Sequence, residues 1–421
     1  MSRWCGLDFG TSNSALATVY DNKLDLVPIQ TGADGQGLRI IPSAVFFNAE
    51  ERTQVFGQQA LDEYVDGYEG RLMRSLKSVL GSSLMGEATQ VSDLSHDYSH
   101  IIAQFVCFMK SQAEHRLQRS LDQVVVGRPV YFVDGDPAAD LRAQQELEHI
   151  LELAGFKEVS FQYEPIAAAL DFERTLTKNT LVLTMDIGGG TSDFSIMQLG
   201  PENLAQPQSA FTILANDGIH IGGTDFDCQF QLKTVSATFG LGSTLQSGLD
   251  MPVMAYHKLA TWHEINSLYE LKTIEALRSL RQRAAQPKLL DRLLRLIELR
   301  RGHLLAQLIE DAKIQLSSQD QSLLDLSFVE RGLTLSLSSR ELIEATNHKV
   351  HQIMAKAKGT LSQAGLQLHQ LDCILLTGGS TAMPGFEQQV QLNFPGVELV
   401  KMDRFAGIAK GLSMVAQKRY E

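Results

Sequence analysis

The chain is poor in cysteine and keeps its thiols apart: Cys5, Cys107, Cys228 and Cys373 are scattered over 421 residues. No C-x-x-C pair occurs, which excludes a redox or metal motif of that kind. Each cysteine lies in or beside an apolar segment, so buried thiols are the expectation. No apolar run reaches the roughly 18 residues of a membrane-spanning helix, and the N-terminus enters "WCGLDFG" without a signal-like apolar region. Both readings point to a cytoplasmic protein without a membrane role. Basic charge is also scarce: a formal net charge of −12 argues against non-specific binding to nucleic acid or anionic lipid as the main activity. Low-complexity linkers are missing, as is any G-x-x-x-x-G-K-[ST] loop. What is present is an ordinary globular composition, 44% hydrophobic and 20% charged, in a chain long enough for two or three domains.

Two stretches resemble each other. Residues 4–20, "WCGLDFGTSNSALATVY", read as a strand, a tight Asp-x-Gly-Thr-Ser turn and a second strand; residues 181–199, "LVLTMDIGGGTSDFSIMQL", repeat that pattern. Asp8 and Asp186 stand at matching places. Their separation is far too long for a solenoid repeat and suits one duplicated domain; chance likeness between two hairpins is the alternative. Between them, "QVVVGRPVYF" (123–132) reads as a buried strand, and Pro137–Ala154 as a helix with Gly155 at its C-terminal cap. "EVSFQYEP" reads as a strand ending at Glu164-Pro165, with a helix opening on that proline. Strands alternating with helices make the fold class α/β. Residues 41–109 have the look of an insertion with a helix near 56–65.

Further on, "GIHIGGTDFD" (218–227) is a glycine turn entering a helix, and residues 255–317 carry leucines at helical spacing, interrupted at Pro287. "LDLSFVE" and "LTLSLSS" form an expected hairpin about Arg331-Gly332. "CILL" then leads into "TGGST" (377–381), and a last helix is expected near 405–418.

Glycine lets a backbone approach a ligand closely and turn at positive φ, and successive amides in such a turn form a concave anion site. On that reasoning the amides of Gly188, Gly189 and Gly190 would face phosphate oxygens. Asp8 and Asp186 repel phosphate unless a cation intervenes, and Mg²⁺, held by one or two carboxylates plus phosphates, is the natural choice. Thr11, Ser12 and Thr191 add hydroxyls. Taken singly, each glycine cluster is also explained as a plain turn; three of them, each after an apolar strand, point together to a phosphate site.

The motifs "LDFGTS", "YEPIAAAL", "DIGGGTSDFSI", "GGTDFD", "EDAKIQLS" and "LLTGGSTAMP", in this order, resemble the nucleotide-binding domain of the DnaK (heat-shock protein 70) family, over residues 6 to about 412. The resemblance implies two lobes of duplicated ribonuclease-H-like, actin-like ATPase fold, residues 1–176 and 177–421, with inserted subdomains at about 41–109 and 225–312 and ATP/ADP with Mg²⁺ in the cleft between lobes. It implies Asp8 and Asp186 around hydrated Mg²⁺. Gly10, Thr11, Ser12 and Asn13 would meet phosphates from one side, Gly188, Gly189, Gly190 and Thr191 from the other. Lys77 would be aimed at the γ-phosphate and attacking water, Glu164 at the metal's water, and Asp193 at the nucleophile. Gly222, Gly223, Glu310, Lys313, Ile314, Ser317, Gly378, Gly379 and Ser380 would surround ribose and adenine, with Asp403 near the nucleotide. Plainer readings stand beside these: Lys77 as a solvated lysine, Glu164 as a polar residue before a helix-starting proline, Asp193 paired with a backbone amide.

The sequence departs from the family in four places. Ile314 stands where an arginine usually stacks on adenine. "GRPVYF" and Tyr163 replace the usual "VPAYF" and Asn. The segment 225–310 is longer than usual, and within it Arg278–Arg301 holds eight basic residues against two acids, either a solvated face or a docking surface for an acidic partner or exchange factor. No peptide-binding domain is expected, by likeness to short, single-domain DnaK-like proteins. The expected function is a slow, Mg-dependent ATPase acting as a nucleotide switch or chaperone-related module. The alternatives are a small-molecule kinase of the same superfamily and an actin- or MreB-like filament protein.

Overall fold

The computed structural model describes residues 3–32, 35–82, 85, 88–91, 94–201, 212–402 and 406–421. The chain packs into two compact units, one formed by residues 1–222, 353–381 and 390–421, the other by 223–352 and 382–389.

The first unit is built on two sheets of the same topology. In one, β1 (Trp4–Phe9), β2 (Asn13–Tyr20) and β3 (Lys23–Leu26) run antiparallel, and β4 (Gln123–Arg128) and β5 (Glu158–Tyr163) add in parallel on the other side of β1, in the order β5-β4-β1-β2-β3. In the second, β6 (Thr180–Ile187), β7 (Ser192–Leu199) and β8 (Thr212–Ile219) form the antiparallel meander, and β9 (Cys373–Thr377) and β10 (Glu398–Lys401) add in parallel beyond β6. Strand by strand the second sheet repeats the first. The two similar hairpins are therefore the first two strands of a duplicated sheet, and the likeness in sequence is not chance.

Every residue of β6 is buried, as expected of a central strand covered on both faces. Helices Tyr98–Leu117 and Pro137–Leu153 cover the first sheet through Ile102, Phe105, Leu147 and Ile150, which share one core with Leu7, Phe9 and Val124. Asp136 caps the second of these helices by accepting from the amides of Ala138 and Ala139. Gly155, at φ 91°, turns the chain out of it. Helix Glu164–Glu173 lies between the sheets: Ala167 and Ala168 pack with Trp4, Val125 and Leu412, while Ile166 and Ala169 pack with Val182, Met197 and Leu375. The C-terminal helix Gly407–Tyr420 crosses β1 and helix Glu164–Glu173 so closely that a Cβ on Gly6 would stand 2.3 Å from the Ser413 amide nitrogen, and one on Gly411 1.8 Å from the Ala167 carbonyl oxygen.

The second unit is largely helical, with Leu271–Arg283, Pro287–Glu298 and Gly302–Leu316 in succession; Pro287 opens a helix, where its missing N–H does no harm. The hairpin expected here forms with shifted strands, Gln321–Asp325 and Thr334–Ser338. Most of "LDLSFVE" is its loop, because Leu326 and Val329 are buried as turn anchors rather than as alternating strand residues. Cys107 is exposed, against expectation: on helix Tyr98–Leu117 its neighbours Phe105, Val106 and Met109 face the core, and the helical period turns Cys107 outward. Among the described residues, no helix is long and apolar enough to cross a membrane.

Candidate functional site

Asp8 and Asp186 are each the penultimate residue of the strand that starts their sheet. The turns that follow, Gly10–Ser12 and Gly188–Thr191, face one another within the first unit. A Cβ on Gly189 would stand 2.3 Å from Ser12 Oγ, and one on Gly190 2.9 Å from Thr11 Oγ1. Close approach thus favours glycine at 189, since a Cβ would also stand 3.2 Å from Ser12 Cβ and 3.3 Å from its amide nitrogen. Gly10 and Gly188–Gly190 are not at positive φ, so close approach and not left-handed backbone is what glycine offers in these turns. The phosphate-facing role expected for all three amides is corrected, since the Gly188 N–H closes its own turn on the Thr191 carbonyl at 2.9 Å. At the end of β9 the conformational argument does hold: Gly378 has φ 84°, and a Cβ there would meet Ile187 O at 2.3 Å and Asp186 Oδ1 at 2.6 Å. Ser380 Oγ donates to Gly188 O at 2.8 Å, tying the third turn to the second. Gly222 comes equally close to Gly190.

Lys77 sits on a short 3-10 turn, Leu76–Val79, entered through Ser75 at φ 53°, an unfavourable conformation for a residue with a Cβ. It is 8% exposed and Glu164 7% exposed, and its Nζ donates to Glu164 Oε1 at 2.5 Å. Lys77 is therefore not a solvated surface lysine. Burial alone would push the Lys77 ammonium down, but the carboxylates of Glu164 and Asp8 outweigh that and hold it above its ordinary range. Asp193 Oδ1 accepts the Val130 amide at 2.7 Å, so the plainer reading, an amide of its own turn, is corrected: the amide comes from the segment after β4. Thr191 also hydrogen-bonds Asp193.

Four carboxylates and one ammonium share this buried place. Burial, then the Glu164 charge, pushes Asp8 up to about 7 against the relief given by Lys77. Asp193 is pushed up to about 7 by the same first two causes, and the Val130 amide and Thr191 hydroxyl work the other way. Asp186 is raised well above the carboxylate range by burial, then by Glu164, Asp193 and Asp8. Among the described residues Asp186 Oδ1 has no hydrogen-bond partner, and neither have the hydroxyls of Thr184 on the same strand and Thr377 opposite Asp186 on β9. What the cluster lacks is positive charge. Among the described residues no three His, Cys, Asp or Glu are grouped so as to ligate one ion together. The unpartnered, buried Asp186 Oδ1 beside three further carboxylates is a donor set of the hard oxygen type that a divalent cation takes.

Glu310, Lys313 and Ile314 lie on helix Gly302–Leu316 of the second unit, and Ser317 is its C-cap. Lys313 Nζ is engaged by Asp227 Oδ2 at 2.8 Å and by Gly223 O at 3.2 Å, which pins the start of helix Gly223–Phe230. Ile314 is 58% exposed. Asp403 lies outside the described residues. In the basic segment, Arg278 pairs with Glu298, Arg281 with Asp291 and Arg292 with Glu330, so part of its charge is neutralised locally.

Arg128 was not legible as a site residue. It is buried at the end of β4, and it organises the loop that supplies the Val130 amide. An arginine followed by proline inside an apolar strand run was the available signal.

Residues 83–240 and 298–417 match the Hsp70 protein family. These segments cover well over half of the chain, and it belongs to that family. The match spans Glu164, Asp186, the Gly188–Gly190 turn, Asp193 and Gly378. It begins after Asp8, which holds in the first sheet the place of Asp186 in the second, after Thr11 and Ser12, which face Gly190 and Gly189, and after Lys77, which bonds Glu164. Membership supports a nucleotide-binding, chaperone-like function.

Proposed function

We propose that the chain binds ATP with Mg²⁺, hydrolyses it slowly, and acts as a nucleotide-dependent switch or chaperone-related module. The observation that carries this reading is the pairing of the two hairpins, Thr11 and Ser12 against Gly190 and Gly189, with Asp8 and Asp186 at matched positions behind them. Asp8 and Asp186 would hold the hydrated cation, which when bound supplies charge neutralisation for the phosphates. Gly10, Thr11, Ser12 and Asn13, with Gly189, Gly190 and Thr191, would contact phosphate oxygens. Lys77 lies within reach of Glu164 and would orient the attacking water while countering charge on the γ-phosphate; Asp193 would accept a hydrogen bond from that water. Gly222, Gly378, Gly379 and Ser380 are kept for the nucleoside, while Lys313 holds the start of helix Gly223–Phe230 in place. The basic segment 278–301 is kept as a docking face for an acidic protein partner or exchange factor.

Calorimetric titration with ATP tests the binding half of this proposal. The expected result is binding that depends on Mg²⁺ and weakens strongly in Asp186→Asn. Binding of equal strength with excess chelator, or none in wild type, overturns it. Because Ile314 offers packing but no cation–π attraction to adenine, worth about 0.5–2 kcal/mol, affinity is expected to be weaker than nanomolar.

A further inference from the structure

The two departures "GRPVYF" and Tyr163 are in contact. Arg128 and Tyr163 are opposite one another in the β4–β5 pairing, and the Arg128 guanidinium lies over the Tyr163 ring at 5.2 Å and over the Phe132 ring at 5.0 Å. Its hydrogen bonds use the whole fork: Nε donates to Pro129 O at 3.0 Å, Nη2 to Val130 O at 3.1 Å and to Asp140 Oδ2 at 2.8 Å, and Nη1 to Gln144 Oε1. Asp140 in turn accepts the Phe132 amide at 2.6 Å. One buried planar cation thus fixes the backbone of residues 129, 130 and 132.

That backbone serves the site at one end, since the Val130 amide points at Asp193. At the other end Tyr163 immediately precedes Glu164, the first residue of its helix and the partner of Lys77. We infer that Arg128 is a positioning residue: it sets Asp193 through the Val130 peptide and Glu164 through Tyr163, so that both carboxylates keep their geometry toward the reacting phosphate. A lysine cannot replace it. A single ammonium offers neither the flat face that lies on two rings nor the fork that reaches Val130 O and Asp140 together.

The inference rests on the proposed hydrolysis, and its test carries one readout that does not. Wild type, Arg128→Lys and Arg128→Met are compared for kcat and KM with Mg·ATP, alone and in an Asp193→Asn background. The Val130 amide proton is followed after selective ¹⁵N-valine labelling. The expected result is a fall in kcat of roughly tenfold or more from misplacement, with KM changed far less, a smaller further fall in the Asp193→Asn background, where the route through Tyr163 and Glu164 remains, and an upfield move of the Val130 amide proton as its bond to Asp193 weakens. Arg128→Lys serves if Arg128→Met does not fold. Unchanged kcat in a folded variant, or an unmoved Val130 signal, overturns the inference. A moved Val130 signal in a protein that shows no turnover even as wild type upholds the positioning role and overturns the hydrolysis reading instead.

Discussion

Lys77 and Glu164 form a buried ion pair, 2.5 Å from Nζ to Oε1, across 87 residues of sequence. Removing Lys77 leaves the buried Glu164 without its partner, a loss that typically destabilises a fold by about 3–5 kcal/mol, while removing Glu164 leaves Lys77 with the charges of Asp8 and Asp193 and should cost less. Lys77→Met and Glu164→Gln should each lower the midpoint of denaturant unfolding. The double variant should be more stable than the sum of the two losses implies. Additive losses in chemical denaturation would mean that the two groups do not depend on each other.

The contact between hairpins gives a second expectation. Gly189→Ala puts a methyl 2.3 Å from Ser12 Oγ, so it should weaken nucleotide binding by at least tenfold, and Ser12→Ala in the same chain should restore part of the lost stability by clearing the space. A Gly189→Ala protein with wild-type affinity and melting temperature would show that the turns do not meet.

Two helix glycines should respond in opposite directions. Gly411→Ala drives a Cβ to 1.8 Å from the backbone oxygen of Ala167, whereas Gly359, exposed on helix Ser339–Gln363, has nothing within 4 Å. Gly359→Ala should stabilise by about 0.5–1 kcal/mol through helix propensity. Gly411→Ala should destabilise by more than it gains, or fail to fold. Thermal melts of the pair decide this.

The carboxylate cluster sets a pH dependence. Asp8 is raised from its ordinary 3.8 to about 7, so between those values the folded protein holds a proton that the unfolded chain has released. Stability from this group is therefore lost as pH rises from about 4 to 7, and the loss is complete above 7. In ligand-free protein, the melting temperature of Asp8→Asn relative to wild type should climb between pH 5 and pH 8. A difference that stays flat across that range contradicts the assignment.

Much of this was legible in the sequence. The Asp-containing hairpins are visible because apolar runs on both sides bracket a short glycine turn, and helix Pro137–Leu153 because Pro137 and Gly155 mark its ends. Lys77 and Asp193 were found through the family likeness, but their partners were not, because Glu164 and Val130 lie 87 and 63 residues away. Arg128 escaped for a similar reason: its importance comes from what it touches, and its own segment reads only as a strand. The burial of Leu326 and Val329 as turn anchors, and the closing of the Gly188 amide on Thr191, depend on backbone paths that residue type does not determine.

Mg-dependent ATP turnover by wild type and Lys77→Ala, with nucleotide binding measured on the same samples, tests the central claim most directly. The expected result is slow, chelator-sensitive hydrolysis by wild type, reduced a hundredfold or more in Lys77→Ala while the folded variant still binds ATP. Turnover unchanged by the loss of Lys77, or no nucleotide binding by wild type, would contradict it.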